Sequence, residues 1–324
     1  MTDINQIKRA AEKIVGHVTH TQLISNSVLD QRTGAKVFLK PECLQKTGSF
    51  KYRGATNRIL NLTEAEKKRG VVAVSSGNHG QAIAAVAKQN GVRATILMPA
   101  DAPQIKVTAT KRWGAEIVTF DRYKEDRFAV FAELIAKTGA VAIPPYDDPY
   151  VIAGQGTAGL ESASDLVEMG IKPDLALVCC GGGGLTAGFS LAMKDAFPDA
   201  SVYACEPENY DDTKLSLEAG TQIGIDTSVP SICDAIITPK PGELTFPINK
   251  QTLSGALVCS DDEALEAVAF AFEHLKLVVE PGGAIALAAL LSGKIDAKGK
   301  TVVLTLSGGN IDPQMMQRAL NKLD

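Results

Sequence analysis

Aromatic residues are scarce in this chain, 5% of 324, and Trp113 is the single tryptophan. Basic runs are missing too, and the net charge is −4. A binder of nucleic-acid phosphates and a polybasic membrane patch are both excluded on that ground. The six cysteines, Cys43, Cys179, Cys180, Cys205, Cys233 and Cys259, form no CxxC pair and have no His-rich partner segment. Zinc spacing is therefore absent, and a chain this long has no need of a disulfide framework. No long hydrophobic run occurs. The longest aliphatic stretch, Ala284 to Leu291, falls far short of the roughly 20 residues of a membrane span. The polar start, MTDINQIKRAAEK, has no apolar segment of the secretory kind. Together these absences describe a soluble protein of a reducing compartment, the cytoplasm, with neither nucleic acid nor membrane as partner.

What the chain does have is glycine: 29 residues, many of them clustered. Hydrophobic residues make up 45%, enough for a substantial core, and the length suits one large or two medium domains. From about residue 70, short β-branched runs alternate with helical patterns. Val71 to Val74, Ala94 to Met98, Glu116 to Phe120 and Val141 to Ile143 read as strands. Between them lie helical segments at Gln81 to Gln89, Gln104 to Trp113 and Lys124 to Lys137. The alternation returns with helices at Gly156 to Met169, Leu185 to Phe197, Glu263 to Lys276 and Pro313 to Lys322. Its strands are Leu175 to Cys180, Ser201 to Cys205 and Thr301 to Leu306. Apolar strands separated by helices mean parallel sheets covered on both faces. The expected fold class is α/β, with two doubly wound domains. Residues 66–147 form a small domain inserted in a large one made of residues 1–65 and 148–324, and residues 220–250 are loop-rich.

The strongest local signal is Cys179-Cys180-Gly181-Gly182-Gly183-Gly184-Leu185, between a strand and a helix. Four glycines let the backbone turn tightly and present several N–H groups beside the positive end of a helix dipole, which makes a phosphate cradle. It lacks the Gly-Lys-Ser/Thr ending of a P-loop and the third glycine of GxGxxG. Ser75-Ser76-Gly77-Asn78-His79 also hands a strand to a helix and suits a carboxylate or another anion; simple N-capping is its other reading. Lys51, within Thr47-Gly48-Ser49-Phe50-Lys51, taken alone reads as a solvated surface cation. Leu306-Ser307-Gly308-Gly309-Asn310 again follows a strand. Four such loops at the carboxyl ends of parallel strands converge where α/β sheets bind ligands. A phosphate cradle, an anion loop and a candidate nucleophilic lysine together suit pyridoxal phosphate, whose aldehyde condenses with a lysine amine.

The segments SFKYRGA, SSGNHGQA, VIAGQGTAG, GGGGL, EPENYDD and LSGGN follow one another in that order between about residues 40 and 312. In this the chain resembles the serine/threonine dehydratase and serine racemase family of fold-type II pyridoxal-phosphate enzymes, with a fold like that of the tryptophan synthase β chain. The resemblance implies that Lys51 carries the cofactor as a Schiff base and that Phe50 packs against its ring. Asn78 would bond the phenolic oxygen, Ser307 the pyridine nitrogen, and Gly181, Gly182, Gly183, Gly184 and Leu185 the phosphate. A serine at the ring nitrogen makes a weaker electron sink than a carboxylate would, which favours prompt loss of a β-leaving group. The implied reaction is dehydration and deamination of L-threonine or L-serine to a 2-oxo acid and ammonia, with Lys51 taking the α-proton.

Ser76 bears on a second activity. Biosynthetic threonine dehydratases usually carry alanine at the matching place and serine racemases carry serine, whose hydroxyl can return a proton from the opposite face. The other reading of Ser76 is carboxylate binding, together with Ser75, Asn78 and His79. A dehydratase with racemisation as a side reaction is the favoured outcome, with serine racemase and 3-hydroxyaspartate ammonia-lyase as alternatives. Arg127 matches a substrate-facing arginine of the racemases, although an arginine on an amphipathic helix is more often a surface residue. By the same resemblance Glu206, the Tyr210 carbonyl and Asp212 would hold a divalent cation, Mg²⁺, Ca²⁺ or Mn²⁺; a solvated acidic turn is the alternative. Lys240 reads as a loop-surface lysine, or as the partner of a second substrate carboxylate. Tyr146 stands where mammalian-type racemases have asparagine. The chain ends just past the last motif, so the regulatory domain of long biosynthetic threonine dehydratases is not expected, and the resemblance implies a homodimer.

Overall fold

The structure is a computed structural model describing residues 1–324 except Pro103, Arg122, Tyr123 and Asp324, with the side chains of Gln104, Ile105 and Phe128 also left aside. Among the described residues there are nine strands: β1 (Lys36–Pro41), β2 (Val71–Val74), β3 (Ala94–Pro99), β4 (Glu116–Phe120), β5 (Val141–Ala142), β6 (Leu175–Cys179), β7 (Ser201–Pro207), β8 (Gly255–Cys259) and β9 (Thr301–Leu306). They make two sheets, β1-β9-β6-β7-β8 and β4-β3-β2-β5. Every pairing between named strands is parallel. At the middle of the larger sheet Leu177 lies between Leu304 of β9 and Tyr203 of β7. This is the α/β architecture with two doubly wound sheets.

The strand orders locate the ligand-binding end. In the larger sheet the chain runs from β6 outward to β8 and then returns to place β9 on the other side of β6. In the smaller sheet it runs from β2 to β4 and then places β5 on the other side of β2. Each sheet thus has a switch point, and the loops leaving the strands there part to open a crevice. The loops after β6 and β9 carry Gly181–Gly184 and Ser307–Asn310. Those after β2 and β5 carry Ser75–Gly77 and Pro144–Tyr146.

Helices cover both faces of the larger sheet. Pro281–Leu291, apolar and buried on nearly every side, packs with Val37, Leu39, Leu177, Val302 and Leu304 on one face. On the other face Phe38, Ala176, Val178 and Val303 meet Leu185 and Phe189. The smaller sheet has its own core of Val71, Ala73, Ile96 and Met98, joined by Tyr52, Ala55 and Ile59 from the helix Lys51–Leu60.

Three glycines of the 20-residue helix Pro149–Glu168 explain part of the glycine count. A Cβ on Gly154 would lie 2.7 Å from the Gly54 backbone, one on Gly156 3.0 Å from Gly188 Cα, and one on Gly159 2.7 Å from Phe189 Cα. Bare backbone here lets three helices touch, and one of them begins at Lys51. That helix is also anchored by charge. Arg53, fully buried, bonds both oxygens of Glu42 (2.8 Å each) and both of Glu161 (2.7 Å each). Lys40, also fully buried, reaches Glu161 at 2.5 Å.

Several boundaries differ from the sequence reading. The helix expected from Gly156 begins at Pro149, because the Asp148 carboxylate caps Tyr150 N and Val151 N and proline suits the first turn. The helix expected over Glu263 to Lys276 is α-helical only from Asp261 to Phe270 and continues as a π-turn to Leu275. Strands β1 and β8 were not anticipated. The first has lysines near both ends, and its inner one, Lys40, is buried only because Glu161 pairs with it. The loop-rich stretch 220–250 is irregular over 221–244 but then enters the helix Thr245–Thr252.

Candidate active site

A cavity of about 260 Å³ opens between the two switch points, and its lining draws on both sheets. Phe50, Lys51, Ser75, Ser76, Asn78, His79, Gly181, Gly182, Gly183, Gly184 and Leu185, all singled out from the sequence, lie on its wall. Ser307 does not line it, although its carbonyl accepts a bond from Phe50 N–H at 3.1 Å. Arg127 is exposed and is not part of the wall, but its positive charge acts on the Tyr146 phenol, which is.

Lys51 opens its helix and sends Nζ to the Pro145 carbonyl at 2.7 Å, 5.1 Å from the Phe50 ring centre. Burial destabilises the ammonium and lowers its pKa to about 8, against the opposing pull of Glu280. A useful fraction of this amine is neutral near physiological pH, as a proton acceptor requires.

Across the cavity the glycine loop is shaped by its neighbours. Only Gly183 has a left-handed backbone, φ +88°. The other three are needed for closeness: a Cβ on Gly181 would sit 3.0 Å from the Ile236 backbone, one on Gly182 2.3 Å from the Tyr146 ring, and one on Gly184 2.9 Å from Tyr146 Cβ. Among the described residues, the N–H groups of Gly181, Gly182 and Gly183 donate to no protein acceptor. Gly184 and Leu185, at the start of the helix Gly184–Ala196, have N–H groups with no partner inside that helix. These orphan donors, at the positive end of a 13-residue helix, fit a phosphate. With the half-buried Lys51 lining the same cavity, the site fits pyridoxal phosphate.

Asn78 is held from two sides. Its Nδ2 donates to Glu280 Oε1 at 2.6 Å, and its Oδ1 accepts from Asn310 Nδ2 at 2.7 Å. Asn310 Nδ2 also reaches the Thr47 carbonyl at 2.8 Å. The amide orientation is thereby fixed, with one N–H left for the cavity. Glu280 was not foreseen, although its place just before Pro281-Gly282-Gly283 at a helix start was a usable signal. Burial raises its carboxyl to about 7 despite the bond from Asn78. His79 lies at the second position of its helix. Its Nε2 meets the Ile143 carbonyl at 2.9 Å, so that nitrogen carries the proton, and buried Nδ1 has no partner. Burial and the Lys51 charge lower its pKa to about 3. The neutral ring cannot donate to an anion through Nδ1, so what His79 offers one is its main-chain N–H at the helix start.

Lys106, Asp234 and Ile236 on the wall came from no motif, whereas Thr238 begins the segment that contains Lys240. Lys106, of the helix Gln104–Arg112 beside the smaller sheet, forms an ion pair with Asp234 in the loop beyond β7. Lys240 is exposed and pairs with Glu243 at 3.1 Å.

The acidic segment lies at the end of β7. Glu206 is fully buried, and its two oxygens accept Thr213 N–H and Lys214 N–H, each at 2.9 Å. Asp212, also fully buried, leaves Oδ2 without a partner. Burial raises Glu206 to about 8 and Asp212 to about 7, and the Asp212 charge adds to the rise at Glu206. The Tyr210 hydroxyl donates to the Val229 carbonyl at 2.8 Å. Among the described residues no three His, Cys, Asp or Glu side chains are grouped to hold a metal. The two carboxylates are short of positive charge and one Asp212 oxygen has no partner, the chemistry that a hard cation would relieve.

Comparison with known proteins agrees with this geometry. The family described as pyridoxal-phosphate dependent enzyme matches residues 14–308. An L-threonine ammonia-lyase of Thermotoga maritima is 41% identical over 322 residues, covering 99% of this chain and 79% of that protein. An L-threo-3-hydroxyaspartate ammonia-lyase of a Pseudomonas species is 42% identical, covering 96% of each. The crystal structure of a serine racemase from Dictyostelium discoideum superposes with a TM-score of 0.87 at 37% identity, covering 96% of this chain and 99% of the other.

Proposed function

The chain belongs to the family of pyridoxal-phosphate dependent enzymes, and from that premise we propose that it is a β-eliminating ammonia-lyase for L-threonine and L-serine. One observation carries the reading: a half-buried lysine with its pKa lowered to about 8 shares a cavity with a glycine loop whose N–H donors, among the described residues, have no protein acceptor. When bound, pyridoxal phosphate supplies a carbonyl for the substrate amine and a sink for the electrons left at Cα. Gly181 to Gly184 and Leu185 would hold its phosphate, Phe50 would pack on its ring, Asn78 would donate to its phenolic oxygen, and Ser307, although off the cavity wall, would meet its nitrogen. Ser75 and the main-chain N–H groups of Ser76, Asn78 and His79 orient the substrate carboxylate; Arg127, exposed and off the cavity wall, is a more distant candidate partner for it. The Lys51 amine removes the α-proton, the β-hydroxyl takes up a proton and leaves as water, and a second water hydrolyses the released enamine to the 2-oxo acid and ammonia.

Serine racemisation is a second reading, supported by the Ser76 hydroxyl on the same wall as Lys51. The 3-hydroxyaspartate reading is supported by relatives of that activity, but Lys240 is exposed and off the cavity wall and so is not the partner of a second carboxylate there. We further propose a structural or activating divalent cation at Glu206, the Tyr210 carbonyl and Asp212, a homodimeric state, and a cytoplasmic location. Among the described residues no helix is long and apolar enough to cross a membrane.

The purified protein is expected to absorb in the visible range and to release 2-oxo acid from L-threonine and L-serine. Lys51→Ala is expected to remove the absorbance and to cut turnover by at least ~10²–10⁴-fold. A colourless wild type, or D-serine as the main product of L-serine, would overturn the lyase reading.

A further inference from the structure

The glycine loop points its N–H groups at the cavity only if its peptide planes are held, since glycine itself imposes no such preference. In a planar trans peptide the C=O and the following N–H point in opposite directions. The Gly182 carbonyl is therefore the handle for the Gly183 N–H. That carbonyl accepts the Thr245 hydroxyl at 2.7 Å and Gly242 N–H at 3.3 Å. Thr245 is fully buried and is not on the cavity wall. A carbonyl drawn toward it is drawn away from the ligand, and the N–H on the same plane is turned to the cavity.

Thr245 is in turn secured. It is the first residue of the helix Thr245–Thr252. The two residues before it are clamped by Asp147, whose oxygens accept Glu243 N–H at 3.0 Å and Leu244 N–H at 2.7 Å. Asp147 follows Tyr146, which lies against Gly182 and Gly184. The space behind the loop is closed as well, because a Cβ on Gly183 would meet Thr245 Oγ1 at 2.9 Å. The loop is thus held between Tyr146 on one side and Thr245 on another, with Asp147 tying the two together.

We propose that Thr245 is a positioning residue for phosphate recognition: its hydroxyl, carried on a helix start that Asp147 holds, sets the Gly182–Gly183 peptide so that the Gly183 N–H faces the ligand phosphate. The inference rests on the cofactor reading above and adds to it a residue outside the cavity that no motif contains. A hydroxyl that only stabilised the fold would matter equally for ligands with and without phosphate.

The test compares binding of pyridoxal phosphate and of pyridoxal to protein stripped of cofactor, by absorbance titration, for wild type, Thr245→Val and Thr245→Ser. Valine keeps the shape and removes the hydroxyl; serine restores it. In Thr245→Val the affinity for pyridoxal phosphate is expected to fall ~5- to 30-fold, the effect of one hydrogen bond at a charged ligand. Affinity for pyridoxal stays within about twofold, and Thr245→Ser recovers most of the loss. Equal losses for both ligands, or no loss for either, would overturn the proposal. If Thr245→Val does not fold, Thr245→Ala provides the same comparison without a buried methyl in place of the hydroxyl. A wild type that binds pyridoxal as tightly as pyridoxal phosphate would instead sink the phosphate-cradle reading itself, and this inference with it.

Discussion

Ser76 and Lys51 line one cavity, and the fate of a proton taken from Cα depends on whether a second group can return it from the other side. Removing the Ser76 hydroxyl should separate the two activities. In Ser76→Ala, formation of D-serine from L-serine is expected to fall by at least ~10²-fold, a typical contribution of one acid–base group, while 2-oxo acid formation changes by no more than about threefold. Both rates are read from one reaction mixture by chiral chromatography and a keto-acid assay; parallel loss of both would assign Ser76 to substrate binding instead. At this scale the sequence was informative where residues sit in short motifs between strand and helix, as Lys51, Asn78 and the four glycines do. It was uninformative where the function of a residue depends on a partner far along the chain. Glu280 meets Asn78 from 202 positions away and Thr245 meets Gly182 from 63, and neither carries a local pattern that reveals the contact.

Elements set what those residues can do. The helix that presents Lys51 is tied down by buried Arg53, which pairs with the buried Glu42 and the half-buried Glu161. Removing one member of such a buried cluster leaves an unpaired charge, so Arg53→Leu is expected to lower unfolding free energy by ~3–5 kcal/mol in denaturant titration. A change under about 1 kcal/mol, the range of exposed pairs, would show the cluster to be solvated. The strand end at Glu206 and the helix Asp212–Ala219 make a different case. Both carboxyls have folded pKa values raised, to about 8 and about 7, so the folded state binds protons more tightly than the unfolded one. The stability these groups contribute is present at acid pH and is lost as pH rises from the ordinary carboxylate range through those values. A bound cation would cancel that loss. The gain in melting temperature on adding Mg²⁺, Ca²⁺ or Mn²⁺ to chelated protein is therefore expected to grow between about pH 5 and pH 8; a gain that is flat or absent would remove the proposed site.

For the whole molecule, the alternation of strand and helix made the α/β class legible, because apolar strands of four to six residues between amphipathic segments leave few other architectures. The register of insertion was harder to read. The helix Lys51–Leu60 precedes the expected boundary at residue 66, yet Tyr52, Ala55 and Ile59 complete the core of the smaller sheet. That helix starts at the residue expected to hold the cofactor, and the cavity takes walls from both sheets, with the Lys106–Asp234 ion pair spanning the two. A ligand seated there is therefore coupled to both cores at once. Pyridoxal phosphate at about 100 times its dissociation constant should stabilise the protein by ~2.7 kcal/mol, raising the melting temperature by roughly 3–10 °C for a chain of this size. The distribution of that stabilisation is the sharper measurement. Hydrogen exchange should slow on addition of cofactor in the loops after β2 and β5 as well as in those after β6 and β9, since all four meet at the cavity. Protection confined to the loops of the larger sheet would mean that the cofactor is held by one sheet alone and that the smaller sheet serves only the substrate.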